Sequence, residues 1–214
     1  MSTHAVIAVR GGEAAKSRLG GCLDAPQREA LVAAMLLDML ATLHGVEAIA
    51  KIWVATPTPA LAALAARAGA SVIADGEAGD LNRAFDQARA LIAIQAPDAS
   101  ILLLPGDLPL IAADEVEAIL QPALRGAIVI APADTDGGTG ALALPAHCPL
   151  ATAFGRHSFA RHLAAAAAHG FDTHIVRATG LSLDIDRPTD LDAMAHHGVT
   201  GRTGDLLSSW KTAA

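Results

Sequence analysis

Residues 100–111 read Ser-Ile-Leu-Leu-Leu-Pro-Gly-Asp-Leu-Pro-Leu-Ile. The run from Ile101 to Leu104 is apolar without alternation, the pattern of a strand buried on both faces. Pro105-Gly106 ends it and presents Asp107 just past its carboxyl end. Open α/β sheets bind their ligands at those ends. This one stretch therefore predicts both the kind of fold and the place to look for chemistry.

The pattern repeats on either side. Ala5 to Val9 is a similar run, followed by a polar, Gly-containing stretch and a helix from about Pro26 to Leu43. That helix carries Leu31, Val32, Met35, Leu36, Met39, Leu40 and Leu43, the spacing of a face laid on a sheet. Further strands are expected near 50–55, 70–74, 127–131, 141–144 and 171–177, and helices near 57–69, 81–95, 113–120, 159–169 and 188–197. Residues 181–186 read as a short extended piece, and 146–158 mostly as loop. The expected fold class is α/β: one Rossmann-like three-layer sandwich over residues 1–214, with a mostly parallel sheet and right-handed crossovers. Residues 198–214 read as a peripheral tail of that single domain.

Bulk composition narrows the function. Apolar residues make up 52%, enough for a sizeable core. The net charge of −7 argues against a broad electrostatic grip on nucleic acid. It does not argue against a small anion, because a few local cations reverse the field nearby. With no Tyr and only four Phe and two Trp, stacking platforms are scarce. Cys22 and Cys148 form no CxxC pair, so neither a zinc site nor a disulfide framework is expected. The N-terminal residues read as a strand rather than a signal peptide, and no apolar run is long enough for a membrane span. The expected location is cytoplasmic.

Four groups of residues carry most of the chemistry-bearing side chains. The first loop, Arg10-Gly11-Gly12 to Lys16-Ser17-Arg18, combines glycines with three cations directly after a strand. It lacks both Walker A and GxGxxG spacing, so it reads either as a phosphate cradle or as a solvated turn. Asp107 is placed to hold a hard cation such as Mg²⁺, or else to cap the next helix. Asp184 and Asp186 form a D-x-D pair. In extended backbone both carboxylates point the same way, whereas Asp186 could instead cap the helix at Pro188. Three such acids would suit phosphoryl or nucleotidyl transfer. The fourth group lies in two loops, Asp134 to Gly140 and Phe154 to Phe159. There Thr139, Gly155 and Ser158 could offer hydroxyls and N–H groups to an anion, or merely make a turn and a helix cap. Asp75 and Asn82 flank another turn after a strand. Asn82 reads either as a base-edge contact or as a cap, and His162 faces either the pocket or solvent.

Six segments in order then identify a resemblance: AKSRL at 15–19, DGEAGDLNRA at 75–84, PGDLPLI at 105–111, GGTGALAL at 137–144, FGRHSFARH at 154–162 and LDIDRPTDL at 183–191. The chain resembles the guanylyltransferases of coenzyme F420 biosynthesis that act on 2-phospho-L-lactate, phosphoenolpyruvate or 3-phospho-D-glycerate. These in turn resemble the MobA-like nucleotidyltransferases, with the nucleotide-diphospho-sugar transferase type of sheet. The resemblance implies Mg²⁺-dependent transfer of GMP from GTP to a phosphorylated three-carbon acid, with release of pyrophosphate. It implies that Lys16, Arg18 and Asp107 act catalytically, and that Arg10, Gly11, Lys16, Arg18, Asp75, Asn82 and Asp107 bind the nucleotide. It implies Asp107, Asp184 and Asp186 as metal ligands, and Thr139, Gly155 and Ser158 as the acceptor site. The implied partners are two small molecules, GTP and the acid. A homodimer and a transient handoff to the downstream transferase are compatible with it.

Three positions depart from the family pattern: Arg10 in place of Lys, Asp80 in place of Gly, and Gly140 in place of Asn. They bear on acceptor identity more than on reaction class. Two other readings stay open: a MobA-like enzyme with a different acceptor, and a non-catalytic nucleotide-binding homologue. A dehydrogenase is disfavoured, because GxGxxG is missing.

Overall fold

The computed structural model describes residues 2–12, 15–74, 80–133 and 136–212. Asp75, expected at the nucleotide, and Asp134, expected in the acceptor loop, lie outside the described residues.

β1 (Thr3–Ala8) is an interior strand, third in a seven-stranded sheet. β2 (Ile49–Thr56) and then β3 (Ser71–Ala74) lie on one side of it, all parallel. On the other side come β4 (Ser100–Pro105), β6 (Thr139–Pro145), β5 (Ile128–Pro132) and β7 (Thr173–Ile175). β6 runs antiparallel to both β4 and β5. The reason is chain length: the short connection after Pro132 leaves no room for a crossover, so β6 must return alongside β5. Chain order reverses direction across the sheet between β1 and β4, which creates the crevice where doubly wound sheets bind ligands.

Side-chain alternation sorts the core into two layers. Ile7, Leu102 and Leu104 face α1 (Ala25–His44), α4 (Ala113–Ala123) and α7 (Pro188–His196). Val6, Ile101 and Leu103 face α3 (Leu81–Gln95) and α5 (Ser158–Ala168). α2 (Pro59–Arg67) joins the first layer through Leu61 and Ala65. The expected three-layer α/β sandwich is therefore the observed one. Each fully buried Leu contributes roughly 2 kcal/mol of transfer free energy. α1 starts in a reciprocal cap: Asp24 accepts from the Gln27 amide at 2.8 Å, while Gln27 accepts from the Asp24 amide at 2.9 Å.

One segment differs from expectation. Leu181 and Ser182, expected as extended, belong instead to the one-turn helix α6 (Thr179–Ser182). Glu115 of α4 accepts the Gly180 N–H at 3.0 Å and holds that turn down. Beyond Gly198 the tail contains α8 (Gly201–Thr212), which packs on α1. Asp38 of α1 accepts the N–H groups of Arg202 and Thr203 at 2.9 and 2.8 Å, capping α8 from a distant part of the chain. Among the described residues no helix is long and apolar enough to cross a membrane.

Candidate active site

The β1 loop and the β4 loop meet because Gly106 lets them. Its amide donates to Ala8 O at 2.9 Å, and a Cβ there would sit 2.5 Å from Val9 Cβ. Asp107 follows at once and meets Lys16 from the first loop: Nζ lies 2.6 Å from Oδ2. Lys16 holds left-handed backbone, φ 51°, which aims its side chain inward. Burial is the largest influence on its ammonium and would lower the pKa. Asp107, Asp186 and Asp184 together outweigh burial and raise it, so the group stays charged.

The D-x-D segment is tied to the same point. Ile185 N donates to Asp107 O at 3.3 Å. Asp186 pairs with Arg18, and it does not cap α7. Asp190 does the corresponding work, accepting the N–H groups of Asp186 and Arg187 at 2.8 and 2.6 Å. Burial, then the neighbouring Asp107, push the Asp184 carboxyl up to about 6.

Two cavities meet at Asp107. The upper, about 270 Å³, is lined by Val9, Arg10, Lys16, Ala84, Asp107 and Asp186 among others. The lower, about 160 Å³, is lined by Asp107, Asp136, Thr139, Gly155, Ser182 and Asp184 among others. Both ends of the combined cleft carry carboxylates, and they differ in what accompanies them: Arg10 and Lys16 in the upper cavity, hydroxyls and glycine backbone in the lower.

Among the described residues no three His, Cys, Asp or Glu side chains form a finished metal shell. Asp184 lines the lower cavity and Asp186 the upper, with Asp107 between them. The donor set nevertheless suits a hard cation. Asp107 Oδ1 is buried with no hydrogen-bond partner among the described residues, and Asp184 is crowded by a like charge.

Several expected contacts take a different form. The Gly11 N–H is already taken by Thr58 Oγ1 at 3.0 Å. Asn82 neither caps α3 nor lines either cavity. Its Nδ2 donates to Phe154 O at 3.1 Å, and its Oδ1 accepts from Phe154 N at 2.6 Å. The cap is Asp80, which accepts the Asn82 N–H at 2.9 Å. The extra carboxylate at position 80 is thus a helix cap. Ser158 is fully buried behind Thr139, and its hydroxyl lies 3.0 Å from Thr139 Oγ1. Its own N–H goes to Gly155 O, so the cavity wall here is Thr139 and Gly155. Gly155 needs its glycine for conformation, φ +118°, with open space where a Cβ would stand.

Sequence reasoning missed the supports. Arg89 of α3 donates to Leu150 O and Cys148 O at 2.6 and 2.7 Å, pinning the irregular segment that leads to Phe154. His162 is fully buried and hydrogen-bonded to Thr139. Both partnerships are long-range and leave no local pattern to find.

The chain is similar to known proteins along nearly its whole length. The family model for CofC-like guanylyl transferases matches residues 3–212. The 3-phospho-D-glycerate guanylyltransferase of Phenylobacterium zucineum is 46% identical, covering 98% of this chain and 97% of its own. The phosphoenolpyruvate guanylyltransferase of Sphaerobacter thermophilus is 35% identical, covering 96% and 98% respectively. Among solved structures, one described as a nucleotide-diphospho-sugar transferase, from Desulfovibrio desulfuricans G20, superposes with a TM-score of 0.81. It is 18% identical and covers 99% of this chain and 96% of its own, so it speaks for the fold alone. A CMP:2-keto-3-deoxy-manno-octonic acid synthetase in complex with CTP gives a TM-score of 0.60 at 17% identity, covering 92% and 98%. With the family model spanning nearly the whole chain and a 46%-identical relative covering 98% of it, the chain belongs to the CofC-like guanylyl transferase family.

Proposed function

We propose that this enzyme transfers GMP from GTP to 3-phospho-D-glycerate, releasing pyrophosphate, as a step of coenzyme F420 biosynthesis. The observation that supports the reading is the pair of cavities joined at Asp107, with Arg10 and Lys16 in the upper, the hydroxyl of Thr139 in the lower, and the carboxylates of Asp107, Asp184 and Asp186 at their junction. The name of the 46%-identical relative supports this choice of acid. Phosphoenolpyruvate is the second reading, favoured by the name of the relative from Sphaerobacter thermophilus.

An acceptor phosphate oxygen attacks the α-phosphorus of GTP. The new P–O bond forms as the bond between the α-phosphorus and the bridging oxygen to the β-phosphorus breaks. The electron pair leaves with pyrophosphate. No enzyme nucleophile is required, because the acceptor is already an anion. The charged Lys16, with Arg10 and Arg18, offsets the charge of the triphosphate. Thr139 and the Gly155 backbone hold the acceptor in the lower cavity, which orients it for in-line attack. Asp107, Asp184 and Asp186 would hold Mg²⁺, which when bound supplies further charge neutralisation at the reacting phosphate.

The test is a matrix of four nucleoside triphosphates against 3-phospho-D-glycerate, phosphoenolpyruvate and 2-phospho-L-lactate, with Mg²⁺. Pyrophosphate release and adduct mass are the readouts. GTP with 3-phospho-D-glycerate should dominate. Absence of acceptor-dependent pyrophosphate in every cell would defeat the reading.

A further inference from the structure

His162 lies behind the acceptor cavity, fully buried, and does not line it. Its two ring nitrogens have different partners. Nε2 sits 2.9 Å from the backbone nitrogen of Ala153, and a peptide N–H can only donate. Nε2 must therefore be the bare nitrogen. Burial first, then the charges of Arg161 and Arg89, hold the ring neutral, with a pKa of about 4. A neutral imidazole with a bare Nε2 carries its proton on Nδ1. Nδ1 is 2.9 Å from Thr139 Oγ1, so that contact is a donation to threonine.

Thr139 Oγ1 also lies 3.0 Å from Ser158 Oγ. The serine hydroxyl, buried in the same place, reaches its hydrogen-bond partner in that contact. With Nδ1–H and the serine O–H both donating, the two lone pairs of Thr139 are filled. The hydroxyl hydrogen is what remains, and Thr139 lines the lower cavity. Ring packing keeps the arrangement in register: Phe154 meets the imidazole edge-on, with centroids 5.2 Å apart.

We propose that His162 is a positioning residue that, acting through Thr139 and together with Ser158, makes the Thr139 hydroxyl an obligate donor to an oxyanion of the acceptor. This deepens the reading above and rests on it. The consequence is selectivity by hydrogen-bond polarity. Thr139 greets a carboxylate or phosphate oxygen and turns away a group that must itself donate. A hydrogen bond to a charged group that loses its donor weakens binding by about tenfold or more.

The experiment is steady-state kinetics on the full chain with GTP and 3-phospho-D-glycerate. His162→Leu, which removes the Nδ1 donor, should raise the acceptor KM by about tenfold or more, with the GTP KM within about twofold of wild type. His162→Asn places an amide N–H near the Nδ1 position and should restore the acceptor KM to within about threefold. His162→Gln carries its amide further out, near Nε2, and should resemble the leucine variant. In a Thr139→Val background, His162→Leu should add no further rise, because the hydroxyl it orders is gone. The asparagine and glutamine pair decides the matter even where the leucine variant fails to fold. Glycerol 3-phosphate, as a competitor lacking the carboxylate, separates the two oxyanions. If its inhibition constant shifts with His162→Leu, Thr139 holds the phosphate, and if not, the carboxylate. Equal rises in both KM values, equal damage from Asn and Gln, or additive effects with Thr139→Val would overturn the proposal while leaving the guanylyltransferase reading intact. A wild-type enzyme that uses no phosphorylated acid would overturn both.

Discussion

The backbone amide of Ile185 donates to the carbonyl oxygen of Asp107 at 3.3 Å. This bond brings two loops, 78 positions apart in the numbering, to one place. It puts Asp184 into the lower cavity and Asp186 into the upper, on either side of Asp107. The D-x-D pair thus straddles the junction rather than facing one way as a strand would.

Asp107 is the shared wall, so its loss should be felt most. Asp107→Asn should lower kcat by about 10²-fold if it stabilises charge at the reacting phosphate. An amide of similar volume keeps the loop packed, but the buried Lys16 ammonium loses its ion pair, so a loss of stability should accompany the loss of rate. Pyrophosphate release by a folded Asp107→Asn protein at the wild-type rate would remove Asp107 from the machinery.

Gly140 separates steric from polar reasoning. A Cβ there would stand 1.6 Å from Leu181 O. Gly140→Ala should therefore displace α6 and with it Asp184, costing about 1–3 kcal/mol of stability. Gly140→Asn should do at least as much. Urea denaturation measures the stability loss, and kcat should fall in step. A Gly140→Ala protein of unchanged stability and activity would show that α6 is not seated as described.

Asn82 ties α3, at the wall of the upper cavity, to Phe154 at the wall of the lower. Asn82→Leu leaves the Phe154 amide and carbonyl without these partners and should cost about 1–3 kcal/mol. Asn82→Asp sets a carboxylate against the Phe154 carbonyl and should cost at least as much. If Asn82 instead read the nucleotide, the GTP KM alone would rise and thermal unfolding would not move.

His162 predicts an acid limb of stability. Its folded pKa of about 4 lies below the ordinary histidine value of 6.5. The unfolded chain therefore binds more protons between those two values. Stability is full above pH 6.5 and is lost as pH falls toward 4, by an amount on the order of 3 kcal/mol. Asp184, raised to about 6, titrates with the opposite sign in part of the same range. Comparing wild type with His162→Asn cancels that contribution and leaves the imidazole alone. Parallel unfolding free energies for the two proteins between pH 4.5 and 7 would contradict the buried neutral ring.

How far the sequence could be read depended on the range of the interactions involved. Ile101 to Leu104 announced a doubly buried strand because period and burial are local properties, and the structure has β4 there. The helix with Leu31, Met35 and Met39 was legible for the same reason. The sense of β6 was not, since parallel and antiparallel strands look alike in a short apolar run. Residues 181–182 read as extended because nothing nearby signals that Glu115, 65 positions away, takes the Gly180 amide. Gly140 read as a lost amide, whereas the backbone of Leu181 leaves no room for a side chain there.

By itself the sequence determined the α/β class, the strand ends as the reactive edge and the residue types gathered there, because strand burial, helix periodicity and turn chemistry are written within a few neighbours. Only the tertiary structure decided what those residues do to one another. It set Lys16 against Asp107, divided Asp184 from Asp186, gave the Asn82 side chain to Phe154 and the Ser158 hydroxyl to Thr139, and placed His162 behind Thr139 rather than in the pocket or in solvent. The physical reason is that a polar group's partner is chosen by proximity in the folded state, where burial makes every unpaired donor or acceptor costly. Residues distant along the chain meet that demand, so sequence spacing cannot reveal them.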